Sequence, residues 1–144
     1  MVRIIAAAVA ILTLGRQASA EAAGGFVDRC AYQGANLTDG HWLGIYCRNK
    51  DTQIFGYNYT WIDLDYCLGN SAGNLISYSK GNFSGSCNNC TIAHDDSTLA
   101  MSCVCLDTNK QYRKSTLDLN TTIHDSNGCA GCFDHFGNKT WEGP

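Results

Sequence analysis

The chain has 144 residues, 44% of them hydrophobic, and a formal net charge of −3 at pH 7. This length suits one domain, and an acidic chain without a basic patch argues against a nucleic-acid partner. A single proline, Pro144, together with many Gly, Asn, Ser and Thr residues, favours β-structure with frequent turns.

The first 20 residues are typical of a secretory signal peptide. Arg3 precedes a run of eleven mostly apolar residues from Ile4 to Leu14, and Ala18-Ser19-Ala20 forms a small-x-small cleavage site. Eleven residues are too few to span a bilayer, which needs about 20. We therefore predict cleavage after Ala20 and a secreted, extracellular protein without a membrane partner, whose mature chain begins with a short leader at 21–25.

Two strands and a turn are predicted in the first half of the mature chain. Residues 42–47 form a short apolar run. Residues 54–61 place aromatic side chains at every second position, which indicates a half-buried strand, and these are Phe55, Tyr57, Tyr59 and Trp61. We interpret this stripe as core or cross-strand packing. A turn-rich segment at 68–73 then leads into another short strand at 74–79.

The second half predicts strands at 99–106 and 111–119 and a turn at 125–128. No segment has a long apolar period of 3.6 residues, so any helices should be short. The last twelve residues, 133–144, carry no signal and are treated as a C-terminal tail.

The two halves are copies of one pattern. Residues 61–73 return as 116–128, which places Asp63 on Asp118 and Leu64 on Leu119. Upstream, Phe26-x3-Cys30 matches Phe83-x3-Cys87, and the block that ends at Cys47 matches the block that ends at Cys103. A period of about 55 residues indicates two copies of one supersecondary unit. We predict one intertwined, pseudo-symmetric domain with copies at 26–82 and 83–132.

Nine cysteines in a secreted chain indicate disulfides rather than zinc. Because equivalent cysteines should serve equivalent roles, the repeat predicts the bonds Cys30–Cys47 and Cys87–Cys103. Cys90 and Cys105 lie just beyond the second pair and could form a parallel bond. An odd set then remains, of which one thiol stays free or pairs between chains, and its members are Cys67, Cys129 and Cys132.

The chain offers little for catalysis. Its only glutamates, Glu21 and Glu142, lie at the ends of the mature chain, and duplicated residues such as Asp63 and Asp118 more often accept backbone hydrogen bonds near a turn. The histidines have no metal-ligand spacing, and they are His41, His94, His124 and His135. We expect a protein that is not an enzyme and that needs no cofactor or metal.

Six N-x-S/T sequons are possible sites of N-glycosylation in a secreted chain. They begin at Asn36, Asn58, Asn82, Asn89, Asn120 and Asn138.

The ordered, duplicated motifs F-x3-C, L-x3-C, [ILV]-D-L-[ND] and N-x-x-G resemble the cyanovirin-N homology family. The resemblance covers residues 26–132 and is closest to the secreted, cysteine-rich members from fungi and ferns. It implies an all-β fold with two elongated lobes and short 3₁₀ turns, in which each lobe combines strands from both copies. It also implies a monomer or a domain-swapped dimer.

The same resemblance implies a site for a mannose-rich glycan in each lobe. The first site would use the turn of the first copy and the start of the second, through Asn70, Gly81, Asn82, Ser86 and Asp107. The second and weaker site would use the segments 25–29, 48–50 and 125–127, chiefly through Arg48, Asn49, Asp125 and Asn127. Asparagine, serine and backbone amides suit sugar hydroxyls because they both donate and accept hydrogen bonds.

The sequence therefore predicts a secreted lectin that recognises mannose-containing oligosaccharides or glycoproteins. Two alternatives remain open at this point. One is an interaction protein of the same fold that binds no sugar, and the other is a small secreted hydrolase.

Overall fold

The computed structural model describes residues 24–50 and 56–140, so the predicted signal peptide lies outside the described residues. Those residues form twelve strands and five 3₁₀ turns of three residues each. The predicted all-β class with short helices is therefore confirmed. Among the described residues, no helix has the length and apolar character that crossing a membrane would require.

Two antiparallel sheets form the framework. The first has the strand order β1-β2-β3-β12, and the second has the order β6-β7-β8. The strands of the first are β1 (Asn36–Thr38), β2 (Trp42–Arg48), β3 (Tyr57–Asp63) and β12 (Asn138–Thr140). Those of the second are β6 (Cys87–His94), β7 (Leu99–Leu106) and β8 (Tyr112–Asp118).

Two hairpins complete the structure. One consists of β4 (Leu68–Ser71) and β5 (Asn74–Ser77), and the other of β9 (His124–Ser126) and β10 (Cys129–Cys132) with the short β11 (His135–Phe136) beside it. The 3₁₀ turns lie at Phe26–Asp28, Tyr32–Gly34, Leu64–Tyr66, Phe83–Gly85 and Leu119–Thr121.

Each hairpin docks on the sheet of the other copy. The Thr60 hydroxyl of β3 donates to the Gly128 carbonyl at 3.1 Å and accepts from the Ala130 amide at 3.3 Å. In the equivalent place, the Leu75 amide of β5 donates to the Ser115 hydroxyl of β8 at 2.9 Å. We define lobe A as β1–β3 with the β9–β10 hairpin, and lobe B as β6–β8 with the β4–β5 hairpin.

Tyr57, Tyr59 and Trp61 of the predicted aromatic stripe lie on the outer face of β3, where Tyr59 is nevertheless buried, whereas Phe55 lies outside the described residues. Asn58, Thr60 and Ile62 are the residues of the opposite face, and all three are buried against the core. Tyr59 packs edge-on against Tyr46 and Trp61, with ring centroids 4.6 and 5.4 Å apart. The stripe therefore makes cross-strand contacts, as predicted, while alternate residues of the strand build the core.

Both predicted disulfide pairings of the second copy, Cys87–Cys103 and Cys90–Cys105, are wrong. Cys30–Cys47 forms as predicted, but Cys87 bonds to Cys105 and Cys90 bonds to Cys103. The sheet register explains the difference. Trp42 pairs with Asp63, and Ala100 pairs with Asp118. The first copy is three residues longer between these paired positions. Cys47 follows Trp42 by five residues, as Cys105 follows Ala100, so Cys105 is the counterpart of Cys47.

A register shift in β6 makes room for the additional bond. Val104 pairs with Asn88 and Ser102 pairs with Thr91, so Cys103 faces the irregular stretch that contains Cys90. The corresponding residue of β2 is Ile45, which is fully buried in the core. The first copy thus has one disulfide at this place, and Cys90–Cys103 is a second disulfide that only the second copy has.

The odd set of cysteines resolves into a long-range bond and a free thiol. Cys67 bonds to Cys132 across the two copies, and Cys129 is the free cysteine among the described residues. The repeat makes Thr122 the counterpart of Cys67 and Ser77 the counterpart of Cys132. The hydroxyls of Ser77 and Thr122 hydrogen-bond to each other, so lobe B has a hydrogen bond where lobe A has the disulfide.

The remaining strand predictions agree in part. The strand at Leu99–Leu106 has the predicted bounds, and the one predicted at 111–119 spans Tyr112–Asp118. Strands β1, β4, β6, β9 and β10 were not predicted, and β4 lies in the segment predicted as turn-rich. The predicted tail contributes β11 and β12, of which β12 pairs with β3.

Leu64 and Leu119 are both fully buried at equivalent positions, each at the start of a 3₁₀ turn. Replacing either by alanine should lower the free energy of unfolding by about 2–5 kcal/mol, because each substitution leaves a cavity in the core. Denaturant melts of both variants measure this loss. A loss below about 0.5 kcal/mol would indicate a surface role and contradict the packing.

The Ser77→Cys/Thr122→Cys double variant should form a fifth disulfide. The two hydroxyls already touch at the position that matches the Cys67–Cys132 bond, and a new crosslink typically stabilises by about 2–4 kcal/mol. Non-reducing peptide mapping and denaturant melts test both points. If both new thiols are recovered free while the four native disulfides are intact, the backbone geometry at 77 and 122 does not match that at Cys67 and Cys132.

Candidate functional site

The duplicated acids Asp63 and Asp118 are the last residues of β3 and β8, and each stabilises the turn that follows its strand. The Asp63 carboxylate accepts from the Asp65 amide at 3.0 Å, and the Asp118 carboxylate accepts from the Asn120 amide at 2.9 Å. Each of them therefore caps the following 3₁₀ turn. The predicted structural role of this pair is confirmed.

The two hairpin tips are built alike and carry the predicted site residues. Gly73 donates its amide to Asn70 Oδ1 at 2.8 Å, and Gly128 donates to Asp125 Oδ1 at 2.8 Å. Both glycines have a positive φ, as does the residue before each of them. Two-residue turns of this kind favour Asn-Gly because both central residues adopt the left-handed region. Lobe A has Asn127-Gly128, whereas lobe B forces Ala72 into that conformation.

In lobe B the side chain of Asn70 is used by the scaffold. Its amide donates to Ser86 Oγ and to the Leu106 carbonyl, both at 2.9 Å. Since its oxygen accepts from Gly73, all of its donors and one acceptor position are occupied. Asn70 therefore anchors the hairpin tip to the second copy and has little hydrogen-bonding capacity left for a ligand.

Asp107 has a similar internal role. It accepts from the amides of Asn109 and Gln111, and its Oδ2 lies 2.8 Å from Nε of Arg113. These hydrogen bonds, led by the one from Gln111, lower the pKa of Asp107 below its ordinary value. The carboxylate therefore stays ionised and closes the loop between β7 and β8.

The structure divides the predicted lobe B residues between two shallow clefts. Asn70 and Gly81 line a cleft of about 230 Å³ together with Tyr78. Asn82 lines a different cleft, with Asp65 and Lys80. Ser86 and Asp107 line neither of them.

Lobe A brings its predicted residues together. Arg48, Asn49, Asp125 and Asn127 line one polar cleft of about 380 Å³. Arg29, Lys50 and Ser126 complete its walls. We refer to this set as the lobe A cleft. Arg29 and Lys50 belong to the segments 25–29 and 48–50 that the sequence analysis assigned to this site, and the structure brings both to the same cleft.

Three replacements between the copies explain why the lobes differ. Arg29 and Arg48 take the places of Ser86 and Leu106, as their backbones show: Arg48 N donates to Arg29 O at 2.8 Å and Leu106 N donates to Ser86 O at 2.9 Å. Asp125 replaces Asn70 and has no amide to donate. Lobe A therefore presents guanidinium groups on the exposed side of the cleft, where lobe B forms internal hydrogen bonds.

Asp125 supplies a carboxylate to the lobe A cleft. Burial raises the pKa of Asp125 above its ordinary value, while the amide of Gly128 and the positive charge of Arg29 oppose that shift. Other side chains of the cleft are held by neighbours. Lys50 donates its amide to Asn127 Oδ1 at 2.7 Å, and Arg48 Nε donates to Tyr57 at 3.3 Å.

A further polar group lies between the lobes and was missed by sequence reasoning. His41 Nδ1 is 2.8 Å from Asp63 Oδ1 and 3.6 Å from Asp65 Oδ2, a grouping that could hold a metal ion. The Asp65 carboxylate also accepts from the Ser84 amide and hydroxyl. His41 and Asp63 are 22 positions apart in the sequence, and only the pairing of β2 with β3 brings them into contact.

The profile of the CVNH domain matches residues 26–130, which include both copies and all of the lobe A cleft. This chain belongs to the CVNH family. Among curated proteins, no sequence matches it closely enough to count as a relative.

Solved CVNH structures share the fold of this protein. GzCVNH from Gibberella zeae is 27% identical, covers 76% of this chain and 98% of its own, and has a TM-score of 0.64. A MoCVNH3 variant in complex with (N-GlcNAc)4 is 19% identical, with 74% and 95% covered and a TM-score of 0.62. A microvirin–mannobiose complex is 20% identical, with 72% and 94% covered and a TM-score of 0.59.

The raised pKa of Asp125 predicts a pH-dependent stability. A raised pKa in the folded state means that the folded protein binds this proton more tightly than the unfolded chain does. The resulting contribution to the free energy of unfolding is fully present below the ordinary pKa of 3.8, and it is lost as the pH rises through the pKa of the folded state. Asp125→Asn keeps the Gly128 hydrogen bond but cannot ionise. We expect the variant to gain stability relative to the parent as pH rises from about 4, measured by denaturant melts across that range.

The matched control is Asn70→Asp, which introduces the ionisable group into lobe B. If the difference in stability between parent and Asp125→Asn is the same at every pH, Asp125 titrates alike in the folded and unfolded states and the assigned shift is wrong.

Proposed function

We propose that this CVNH protein is a secreted lectin that binds mannose-containing oligosaccharides, and that its principal site is the lobe A cleft. The carrying observation is that this cleft gathers four predicted site residues with Arg29, whereas the residues predicted in lobe B are divided between clefts or engaged internally. This reverses the order of the two sites that the sequence predicts.

The groups of the lobe A cleft suit adjacent sugar hydroxyls. A hydroxyl both donates and accepts, so it can donate to the Asp125 carboxylate while it accepts from a guanidinium of Arg29 or Arg48. Hydrogen bonds to charged partners are stronger than neutral ones. Asn127, at the tip of the hairpin, adds an exposed side chain to the cleft.

The complexes of related proteins are consistent with a sugar ligand. One is described with mannobiose and another with an N-acetylglucosamine tetramer, which makes carbohydrate the ligand class to test. Four disulfides among the described residues fit an oxidising, extracellular environment. Binding, rather than catalysis, is the function we propose, because the duplicated acids serve as caps.

Arg29→Ala should weaken binding of a mannose disaccharide by about 5- to 150-fold, since it removes a charged donor and leaves a sugar hydroxyl unsatisfied. Its matched control is Ser86→Ala, the same position in lobe B, which should leave affinity within about twofold if lobe A is the principal site. Isothermal titration calorimetry with protein made without glycosylation measures both.

Two results would contradict the proposal in different ways. Loss of binding in Ser86→Ala with normal binding in Arg29→Ala would place the principal site in lobe B. If the parent protein binds no mannoside at millimolar concentration, the mannose ligand is wrong. A parallel titration with N-acetylglucosamine oligomers then decides whether another sugar occupies the same cleft.

A further inference from the structure

A cleft of about 270 Å³ with aromatic walls lies on the outer face of the β3–β12 strand pair, away from both hairpin tips. We define the aromatic cleft by Trp42, Trp61, Tyr66, His135 and Phe136, which line it. None of these residues lines the lobe A cleft. The tail that sequence analysis left without a signal supplies one wall of it.

The aromatic cleft is open to solvent although most of its walls are aromatic, and Asp63 also lines it. Phe136 is 46% exposed and Tyr66 is 43% exposed, while Tyr66 stacks on His135 with ring centroids 4.2 Å apart. Burial lowers the pKa of His135 below its ordinary value, against the charges of Asp63 and Asp134. The ring is therefore neutral near pH 7. Exposed aromatic clusters of this kind mark binding surfaces.

Asn138 stands at the edge of this cleft. In the antiparallel ladder Asn138 is directly opposite Trp61, and Thr140 is opposite Tyr59. Opposite residues of such a pair project from the same face of the sheet. The Asn138 side chain therefore emerges beside the indole of Trp61, and it is one of the residues that line the cleft.

The sequence at this position is a sequon, Asn138-Lys139-Thr140. Asn138 is exposed. Two other sequons are less suited to modification in the folded protein. Asn58 is 1% exposed, and Asn120 accepts the Val27 amide at 3.1 Å.

We propose that Asn138 carries an N-linked glycan whose first N-acetylglucosamine packs into the aromatic cleft. A ligand with an apolar face and polar edges would complement the walls of this cleft, and a pyranose ring has both. Because the sugar is attached to a residue of the cleft wall, its effective concentration there is high. Covering exposed aromatic surface then contributes favourable free energy in proportion to the apolar area removed from water.

The modification is an exchange at one carbon atom. Asn138 Nδ2 forms a bond to C1 of the sugar, and the bond from C1 to the phosphate oxygen of a lipid-linked oligosaccharide diphosphate breaks. The lipid diphosphate leaves with the electron pair, and the amide gives up one proton. The donor and the transferase belong to the secretory pathway, so the proposal rests on the predicted secretion but not on the sugar specificity of lobe A.

The test uses the chain secreted by a eukaryotic host behind a host leader. Mass spectrometry of the peptide that contains Asn138 measures occupancy, and an endoglycosidase then trims the glycan to a single N-acetylglucosamine. The trimmed protein should have a Tm about 2–5 °C above that of Asn138→Gln. In a Phe136→Leu background, which keeps apolar volume but removes the aromatic ring, this difference should disappear.

Asn89 supplies the matched control, because it is exposed in the irregular part of β6 and does not line the aromatic cleft. Asn89→Gln should change Tm equally in the Phe136 and Phe136→Leu backgrounds. An unmodified Asn138 in the secreted protein overturns the proposal. A modified Asn138 whose effect on Tm is unchanged by Phe136→Leu also overturns it, since the sugar then does not pack in the cleft.

Discussion

The exchange of hairpins between the two copies is the constraint on which the rest of the structure depends. A three-stranded sheet with one apolar face needs a partner, and in each lobe that partner is the hairpin from the other copy. Thr60 and Ser115 mark equivalent docking points, where a hydroxyl receives a backbone amide from the incoming hairpin. Neither copy can bury its core alone, so the hairpin tips, and with them the proposed sugar sites, exist only when both copies fold together.

The copies have diverged most where they are crosslinked. Lobe A closes its hairpin with the Cys67–Cys132 disulfide, whereas lobe B has hydrogen-bonded hydroxyls at the matching place. Lobe B in turn has two bonds across β6 and β7. A small secreted domain gains stability from such bonds because they restrict the unfolded chain. The symmetric fold accepts different crosslinks because the backbone positions are equivalent in both lobes.

The same divergence separates the two lobes chemically. In lobe B, the side-chain amide of Asn70 donates to Ser86 Oγ and to the Leu106 carbonyl. In lobe A, Asp125 cannot make those bonds, and arginines occupy the facing positions. One change from amide to carboxylate is thus coupled to an open, charged cleft. Function on a shared fold is decided by such local groups. Here the hairpin tip of lobe B hydrogen-bonds to its own protein, whereas the equivalent tip of lobe A faces solvent.

By itself, the sequence determined the class of fold, the duplication, the caps at Asp63 and Asp118 and the Cys30–Cys47 bond, because each depends on local spacing or on a repeat read along the chain. Only the tertiary structure decided the partners of Cys87 and Cys90. The first copy is three residues longer between the paired strand positions, so Cys47 matches Cys105 instead of Cys103, and spacing alone cannot reveal that offset. It likewise decided that the lobe A residues share a cleft while the lobe B residues do not, since the free hydrogen-bonding capacity of Asn70 depends on its contact with Ser86. The aromatic cleft needed the pairing of β12 with β3, a contact between residues about 80 positions apart.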